Sequence, residues 1–309
     1  MFCFLKKWFE PRAFNQGYLP EKNGHKVFYS EYGNPKGMPI LVFHGGPGGG
    51  ARPRHAMFAN LNKYRIIMFD QRGCNNSQPL GKLENNTTND LIDDADRLLN
   101  YLKINDKIIL RGASWGSTLA LLFAEKYPAR IEKMLLSQIF MADKDNAWWE
   151  FEGCRWHYPD FVEDLECKAK GDIPKYFANE INSRNIKKQL DAANFYGWYE
   201  RVCCSLNPRW NNCTKLDEKT LAELRIFMHY RVNDFFMKSD CDILKDIKKI
   251  KDIPTVIVHN RLDFVCPVKG AYELHKALRK SRLVIVPEFG HCGKLLFKTI
   301  KRIFCDELS

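Results

Sequence analysis

Lys107-Ile108-Ile109-Leu110-Arg111, Gly112-Ala113-Ser114-Trp115-Gly116 and Ser117-Thr118-Leu119-Ala120-Leu121-Leu122-Phe123-Ala124 follow one another and lead on to Tyr127. A short apolar run, a G-x-S-x-G pentapeptide and an Ala/Leu-rich run spell a buried strand, a sharp turn and a helix. Such a turn lifts a serine hydroxyl above a parallel sheet, beside the backbone N–H groups that begin the helix. The pentapeptide by itself is a weak signal; its flanks make Ser114 a candidate nucleophile. The rest of the chain must then supply a histidine, an acid and an oxyanion site.

Working outward, Ile40-Leu41-Val42-Phe43 is apolar on both faces and runs into His44-Gly45-Gly46-Pro47-Gly48-Gly49-Gly50. That pattern predicts a central parallel strand ending in a glycine-rich loop whose bare N–H groups can hold an oxyanion. A phosphate-binding loop is the rival, but its Lys-Ser/Thr ending is missing. The segments around His25–Tyr32, Arg65–Phe69 and Met134–Leu136 read as further strands. Thr87 or Thr88 is placed to cap a helix that turns Leu91, Ala95, Leu98, Leu99 and Leu102 to one face. Asp93, Asp94 and Asp96 are expected to form its solvated face.

From about Asp143 to Asp240 the strand and helix alternation stops, and the pattern becomes helical and aromatic. Five of the seven tryptophans lie here: Trp148, Trp149, Trp156, Trp198 and Trp210. This predicts a helical cap over residues 143–240, inserted between two parts of an α/β core, 1–142 and 241–309. Its rings are assigned mainly to the cap's own core, a few to a pocket wall. Alternation returns with Thr255-Val256-Ile257-Val258, which ends at Asp263. A helix from about Gly270 to Leu278 and the strand Leu283–Val286 follow, and the latter ends at His291.

Ser114, Asp263 and His291 therefore each stand just past the carboxyl end of a strand, where catalytic groups of open α/β sheets gather. In that arrangement His291 takes the Ser114 proton and later hands it to the leaving group, while Asp263 orients the imidazole. The backbone N–H groups of Trp115 and Gly46 are the candidate oxyanion donors.

The totals fit this reading. A chain of 309 residues can bury a sizeable core. Its 11 cysteines are an odd number without Cys-x-x-Cys spacing, which points to reduced thiols, a cytoplasmic setting and no metal site. The net charge of +11 is spread widely, with denser patches at 245–251 and 276–282, and reads as solvated basic surface with no nucleic-acid partner. The apolar start Met1–Phe9 is interrupted by Lys6 and Lys7, too short a run for a signal peptide or a membrane partner. It is expected to be a tail packed on the body, with a membrane-touching amphipathic start as the alternative. Homo-oligomerisation is left open.

The glycine-rich loop His44–Gly50, Asp70-Gln71-Arg72-Gly73-Cys74, Glu84–Thr88, Gly112–Ser117, Val265-Cys266-Pro267 and Gly290-His291 together resemble the signature segments of the proline iminopeptidase family of α/β-hydrolases. The resemblance extends from near Gly17 almost to the carboxyl terminus, and is thinner in the cap. It implies the α/β-hydrolase fold and a cofactor-free serine peptidase that removes N-terminal proline from peptides. It also implies that cap glutamates bind the substrate's free amine. Ala192–Glu200 is similar to the family's aromatic stretch ending in one such glutamate, which makes Glu200 the candidate. The segment Arg225–Tyr230 has Phe227 where the second is expected. Glu223, one helical turn earlier, is placed to substitute in part. Losing one anion would weaken selection for a free amine, so an esterase, lactonase or amidase for neutral acyl groups is the alternative. A binding protein that has lost the chemistry is a further one. Two other departures lie beside the site: Ala113 for the usual Gly, and Asn75-Asn76 for the usual Gly-Arg.

Overall fold

The computed structural model describes residues 10–205, 216–237 and 242–306. The tail Met1–Phe9 and Trp210 lie outside them. Strands β1 (Asn15–Tyr18), β2 (Phe28–Gly33), β3 (Met38–Phe43), β4 (Tyr64–Phe69), β5 (Ile108–Ser114), β6 (Ile131–Ile139), β7 (Thr255–Leu262) and β8 (Ser281–Phe289) form one sheet in the order β1-β2-β4-β3-β5-β6-β7-β8. β1 and β2 run antiparallel to their neighbours, and every pairing from β4 to β8 is parallel. β3 and β4 are the most apolar strands, because both faces of the sheet are covered there. Leu41 pairs with Leu110 and Phe43 with Gly112, so the glycine-rich loop and the elbow leave the sheet side by side.

On one face, helices α1 (Thr88–Tyr101) and α2 (Trp115–Lys126) bury Leu91, Ala95, Leu98, Leu119 and Phe123 against Leu41, Phe43, Leu110 and Leu136. On the other, the turn Pro53–Phe58 and the carboxyl-terminal helix cover Ile40, Val42, Ile66 and Val258. Thr87 is the cap of α1: its hydroxyl accepts the Asp90 N–H while the Asp90 carboxylate accepts the Thr87 N–H at 3.0 Å. Such a box is worth about 1 kcal/mol.

The expected solvated face of α1 needs one correction. Asp94 is fully buried, and its carboxylate takes Arg72 Nε at 2.6 Å and Nη2 at 3.0 Å. Asp93 and Asp96 do stay near the surface, paired with Lys126 and Arg130. Arg72 comes from the loop after β4, so the partner that draws Asp94 inward is distant in the chain and absent from the helix's own periodicity.

Between β6 and β7 the described residues form a helical run from Lys144 to Trp156 and then helices α3 (Pro159–Ala169), α4 (Ile173–Ile181), α5 (Ile186–Cys204) and α6 (Glu218–Val232). This insertion has its own core, in which Phe151, Val162, Leu165, Phe177, Tyr196, Tyr199 and Met228 meet. Trp149 and Trp198 pack against that core, whereas Trp148 and Trp156 face solvent. The chain re-enters the sheet at β7, after which α7 (Val268–Ala277) buries Ala271 and Leu274 on the α1 and α2 face. The last helix, α8 (Lys294–Asp306), seals the opposite face through Leu296 and Ile300.

Candidate active site

The elbow is built by close approach of backbones. A Cβ added to Gly112 would stand 2.2 Å from the Gly116 carbonyl oxygen, and one on Gly116 would stand 2.2 Å from that of Phe43. Only glycine fits at either place, which is why the two bracket the serine. Ser114 itself sits at φ 56°, ψ −131°, a strained backbone costing about 1–3 kcal/mol, repaid by the packing around it. As the residue that caps α2 it projects its hydroxyl where the helix's free N–H groups begin.

The glycine-rich loop lies directly against this hydroxyl: a Cβ on Gly45 would come within 4.0 Å of Ser114 Oγ. The loop is locked by a buried network. His44 Nε2 accepts the Gln71 N–H at 3.0 Å, so its Nδ1 carries the proton and donates to the Gly45 carbonyl at 2.8 Å. Burial lowers the His44 imidazole and keeps it neutral. The Gln71 side chain donates to the His44 carbonyl and accepts from Trp115 Nε1 at 3.1 Å, tying loop, second strand end and elbow together. Asp70 closes the other end by accepting from the backbone of Ala51 and Asn76 and from the side chains of Asn75 and Asn76. Asn75 and Asn76 thus serve as amide donors to that carboxylate.

His291 and Asp263 meet at the ends of β8 and β7. His291 Nδ1 donates to Asp263 Oδ2 at 2.8 Å, while Asp263 Oδ1 accepts the N–H groups of Val265 and Cys266 at 3.0 and 2.9 Å. Burial works against both charged forms. The pairing outweighs it, holding the imidazole well above its usual 6.5 and the carboxyl below its usual value. Two amide side chains fix the histidine's backbone: Gln138 donates to the His291 carbonyl at 2.8 Å and Asn260 to that of Gly290 at 2.7 Å. With Nδ1 committed to Asp263, Nε2 is the nitrogen left for Ser114.

Ser114, His291, Gly46 and Glu200 line one cavity of about 240 Å³, enclosed by Phe140, Tyr196, Tyr199, Phe227, Phe235 and Phe264. The cavity lies between the sheet edge and the helical insertion, which touches the core at two glycines. A Cβ on Gly290 would strike the Cys204 carbonyl oxygen at 2.1 Å, and one on Gly48 the Glu223 carbonyl at 2.8 Å. Glu200, on α5, is exposed on the open side of the cavity, with protein packed around its remaining faces. That enclosure, together with the carboxylates of Glu223 and Glu150, pushes its carboxyl up to about 7. Phe227 lines the same cavity and packs on Tyr196, ring centroids 5.5 Å apart. Glu223 is exposed and rests against the glycine-rich loop, with Oε1 beside Gly49.

Three neighbours carry no assignment in the sequence reading. Cys266 lines the cavity with Ser114 and His291, and burial pushes its thiol up and keeps it protonated. Its place three residues after Asp263 was the available signal. Glu150 and Arg231 form an ion pair in the cavity wall, and 81 residues separate them, so nothing local announces the contact.

A serine on a strained elbow, an imidazole bridged to a carboxylate and a glycine-rich loop at the carboxyl edge of a mostly parallel sheet define an α/β-hydrolase. A family profile described as alpha/beta hydrolase fold matches residues 38–153, and a second, described as TAP-like protein, matches 238–296. The chain is 36% identical to a probable proline iminopeptidase of Leptolyngbya boryana over 90% of its own length and 88% of the relative's. It is 35% identical to the proline iminopeptidase of Neisseria gonorrhoeae, covering 91% and 92% of the two chains. The chain belongs to the proline iminopeptidase family. Among solved structures, a proline iminopeptidase-related protein of Thermus thermophilus shares the fold at TM-score 0.58 and 19% identity, covering 95% and 98% of the two chains. A structure described as a putative aryl esterase of Burkholderia cenocepacia does so at TM-score 0.64 and 15% identity, over 95% and 98%.

Proposed function

We propose that this protein is a serine aminopeptidase that releases N-terminal proline from peptides through an acyl-enzyme on Ser114, with the helical insertion as the cap over its cavity. The observation that carries the reading is the gathering of Ser114, His291 and Glu200 around one partly open cavity. The imidazole Nε2 accepts the Ser114 proton as the oxygen attacks the prolyl carbonyl. The charge that develops on that carbonyl oxygen is received by the Trp115 and Gly46 N–H groups. Asp263 stabilises the imidazolium, which then protonates the departing amine, and water releases proline by the same steps in reverse roles. Glu200 receives the substrate's ammonium group, because a cation entering a partly dry cavity needs an anionic partner. Glu223, at the edge of the glycine-rich loop, adds negative potential where Phe227 supplies none. The free thiols of the seven described cysteines agree with a cytoplasmic setting. Among the described residues no helix is long and apolar enough to cross a membrane.

Hydrolysis of proline naphthylamide, N-acetylproline naphthylamide and p-nitrophenyl acetate tests the assignment. The free-amine prolyl substrate is expected to be cleaved and its acetylated form refused. Equal or faster cleavage of the acetylated substrate, or ester hydrolysis without prolyl hydrolysis, would favour the neutral-acyl hydrolase instead.

A further inference from the structure

The cavity wall holds a charged pair whose place the prolyl reaction alone leaves unexplained. Arg231, in the last turn of α6, donates from Nε to Glu150 Oε2 at 2.5 Å, and Tyr196 Oη donates to Glu150 Oε1 at 3.4 Å. The two charged side chains retain only 12% and 18% of their surface, and both border the cavity. They sit among Phe227, Phe235 and Tyr199, in an insertion whose core is otherwise apolar. Withdrawing such a pair from water costs several kcal/mol per ion, so an apolar pair of similar volume would serve stability as well or better. Both Glu150 oxygens are already engaged within the wall. Among the described residues, the polar atoms of this cluster left to meet a substrate are the terminal nitrogens of the Arg231 guanidinium, which are donors only.

Their position decides which part of a substrate they meet. Phe235, four residues beyond Arg231, packs on Trp115 at 5.6 Å and on Phe140 at 5.0 Å, on the elbow side of the cavity. His291 and Cys266 line the same cavity but follow β8 and β7, two to three strands across the sheet from the elbow at the end of β5. The leaving amine must lie at the histidine, which protonates it, so the acyl residue extends toward the elbow side and Arg231.

We propose that Arg231, braced by Glu150 and Tyr196, makes this acyl pocket select N-terminal residues with a neutral, hydrogen-bond-accepting side chain, a carboxamide above all, in addition to proline. The proposal rests on the aminopeptidase reading. An apolar side chain long enough to reach the guanidinium, such as that of methionine, leaves it desolvated and unanswered. A carboxylate meets Glu150, which already balances Arg231, and the further anions Glu200 and Glu223. A carboxamide oxygen accepts from the guanidinium and brings no charge.

Glutamine, methionine, glutamate and proline naphthylamides, compared on the wild-type chain and on Arg231→Met/Glu150→Leu, test this. Methionine matches glutamine in length without the acceptor, and the double substitution removes both charges so that neither is stranded. Fluorophosphonate labelling at the wild-type rate certifies that the variant is folded. Wild type is expected to favour glutamine over methionine by about 10- to 100-fold in kcat/KM, the discrimination of a hydrogen bond to a charged group, and over glutamate as well. In the double variant the glutamine-to-methionine ratio falls to about one. Proline turnover with a wild-type ratio near one, a ratio unchanged by the double substitution, or glutamate preferred to glutamine would each overturn the inference alone. Absence of turnover on every aminoacyl naphthylamide, proline included, would overturn the aminopeptidase reading and the inference with it.

Discussion

Replacing Glu200 by Gln isolates the amine anchor, because the side chain keeps its shape and its acceptor oxygen while losing only the charge. An ammonium group 3–4 Å from a carboxylate, at the effective dielectric of a partly wet cavity, gains about 4–5 kcal/mol of Coulomb attraction. Desolvation of both partners cancels much of this, leaving about 1.5–3 kcal/mol, or roughly 10- to 100-fold in kcat/KM. The loss should appear in KM for proline naphthylamide and be nearly absent for p-nitrophenyl acetate, which has no amine. The pH profile supplies an independent readout. Enclosure and the carboxylates of Glu223 and Glu150 raise the Glu200 carboxyl to about 7, so its anion is present above that pH and is lost as pH falls through it. A substrate α-amine is protonated below about 8. In wild type the ratio of amide to ester kcat/KM should therefore peak between about pH 7 and 8, and in Glu200→Gln the acid limb of that ratio should vanish. Equal losses on amide and ester, or a ratio whose acid limb survives the substitution, would refute the role given to Glu200.

Asp263→Asn should lower kcat by about 10⁴-fold, since the amide can no longer stabilise the imidazolium; stopped-time assays on proline naphthylamide measure this, with unchanged thermal stability as the control. Asp94→Asn should cost about 1–3 kcal/mol of stability by taking the two-point carboxylate from the buried Arg72, which then keeps only Asp90 as counter-ion, read as a lowered urea midpoint; an unchanged midpoint would show the pair to be dispensable.

The layout of the core was legible because its signals are local. β3 and β5 are continuous apolar runs, glycines bracket Ser114 because backbones touch there, and Asp263 and His291 each follow a strand. What escaped depends on contacts between distant segments. Asp94 read as surface because a helix pattern cannot show that Arg72 will reach it. β1 escaped as well: Asn15–Tyr18 is an exposed edge strand without apolar alternation, and its pairing with β2 defines it. Glu150 and Arg231 look like ordinary helix-surface charges until the insertion folds and turns both toward the cavity. Resemblance pointed to Phe227 and Glu200, but the raised carboxyl of Glu200 follows from the protein packed around it and then from Glu223 and Glu150 on two other segments.

The claim beneath the rest is that Ser114 is the nucleophile which His291 and Asp263 activate. Substituting Ser114 by Ala and following proline naphthylamide turnover, with fluorophosphonate adducts located by peptide mass mapping, tests it most directly. Wild type should carry the adduct on Ser114, and the variant should lose both adduct and turnover, keeping only the roughly 10³- to 10⁴-fold advantage over water that binding and the oxyanion site supply. Near-normal turnover in Ser114→Ala, or an adduct on another residue that tracks activity, would contradict it.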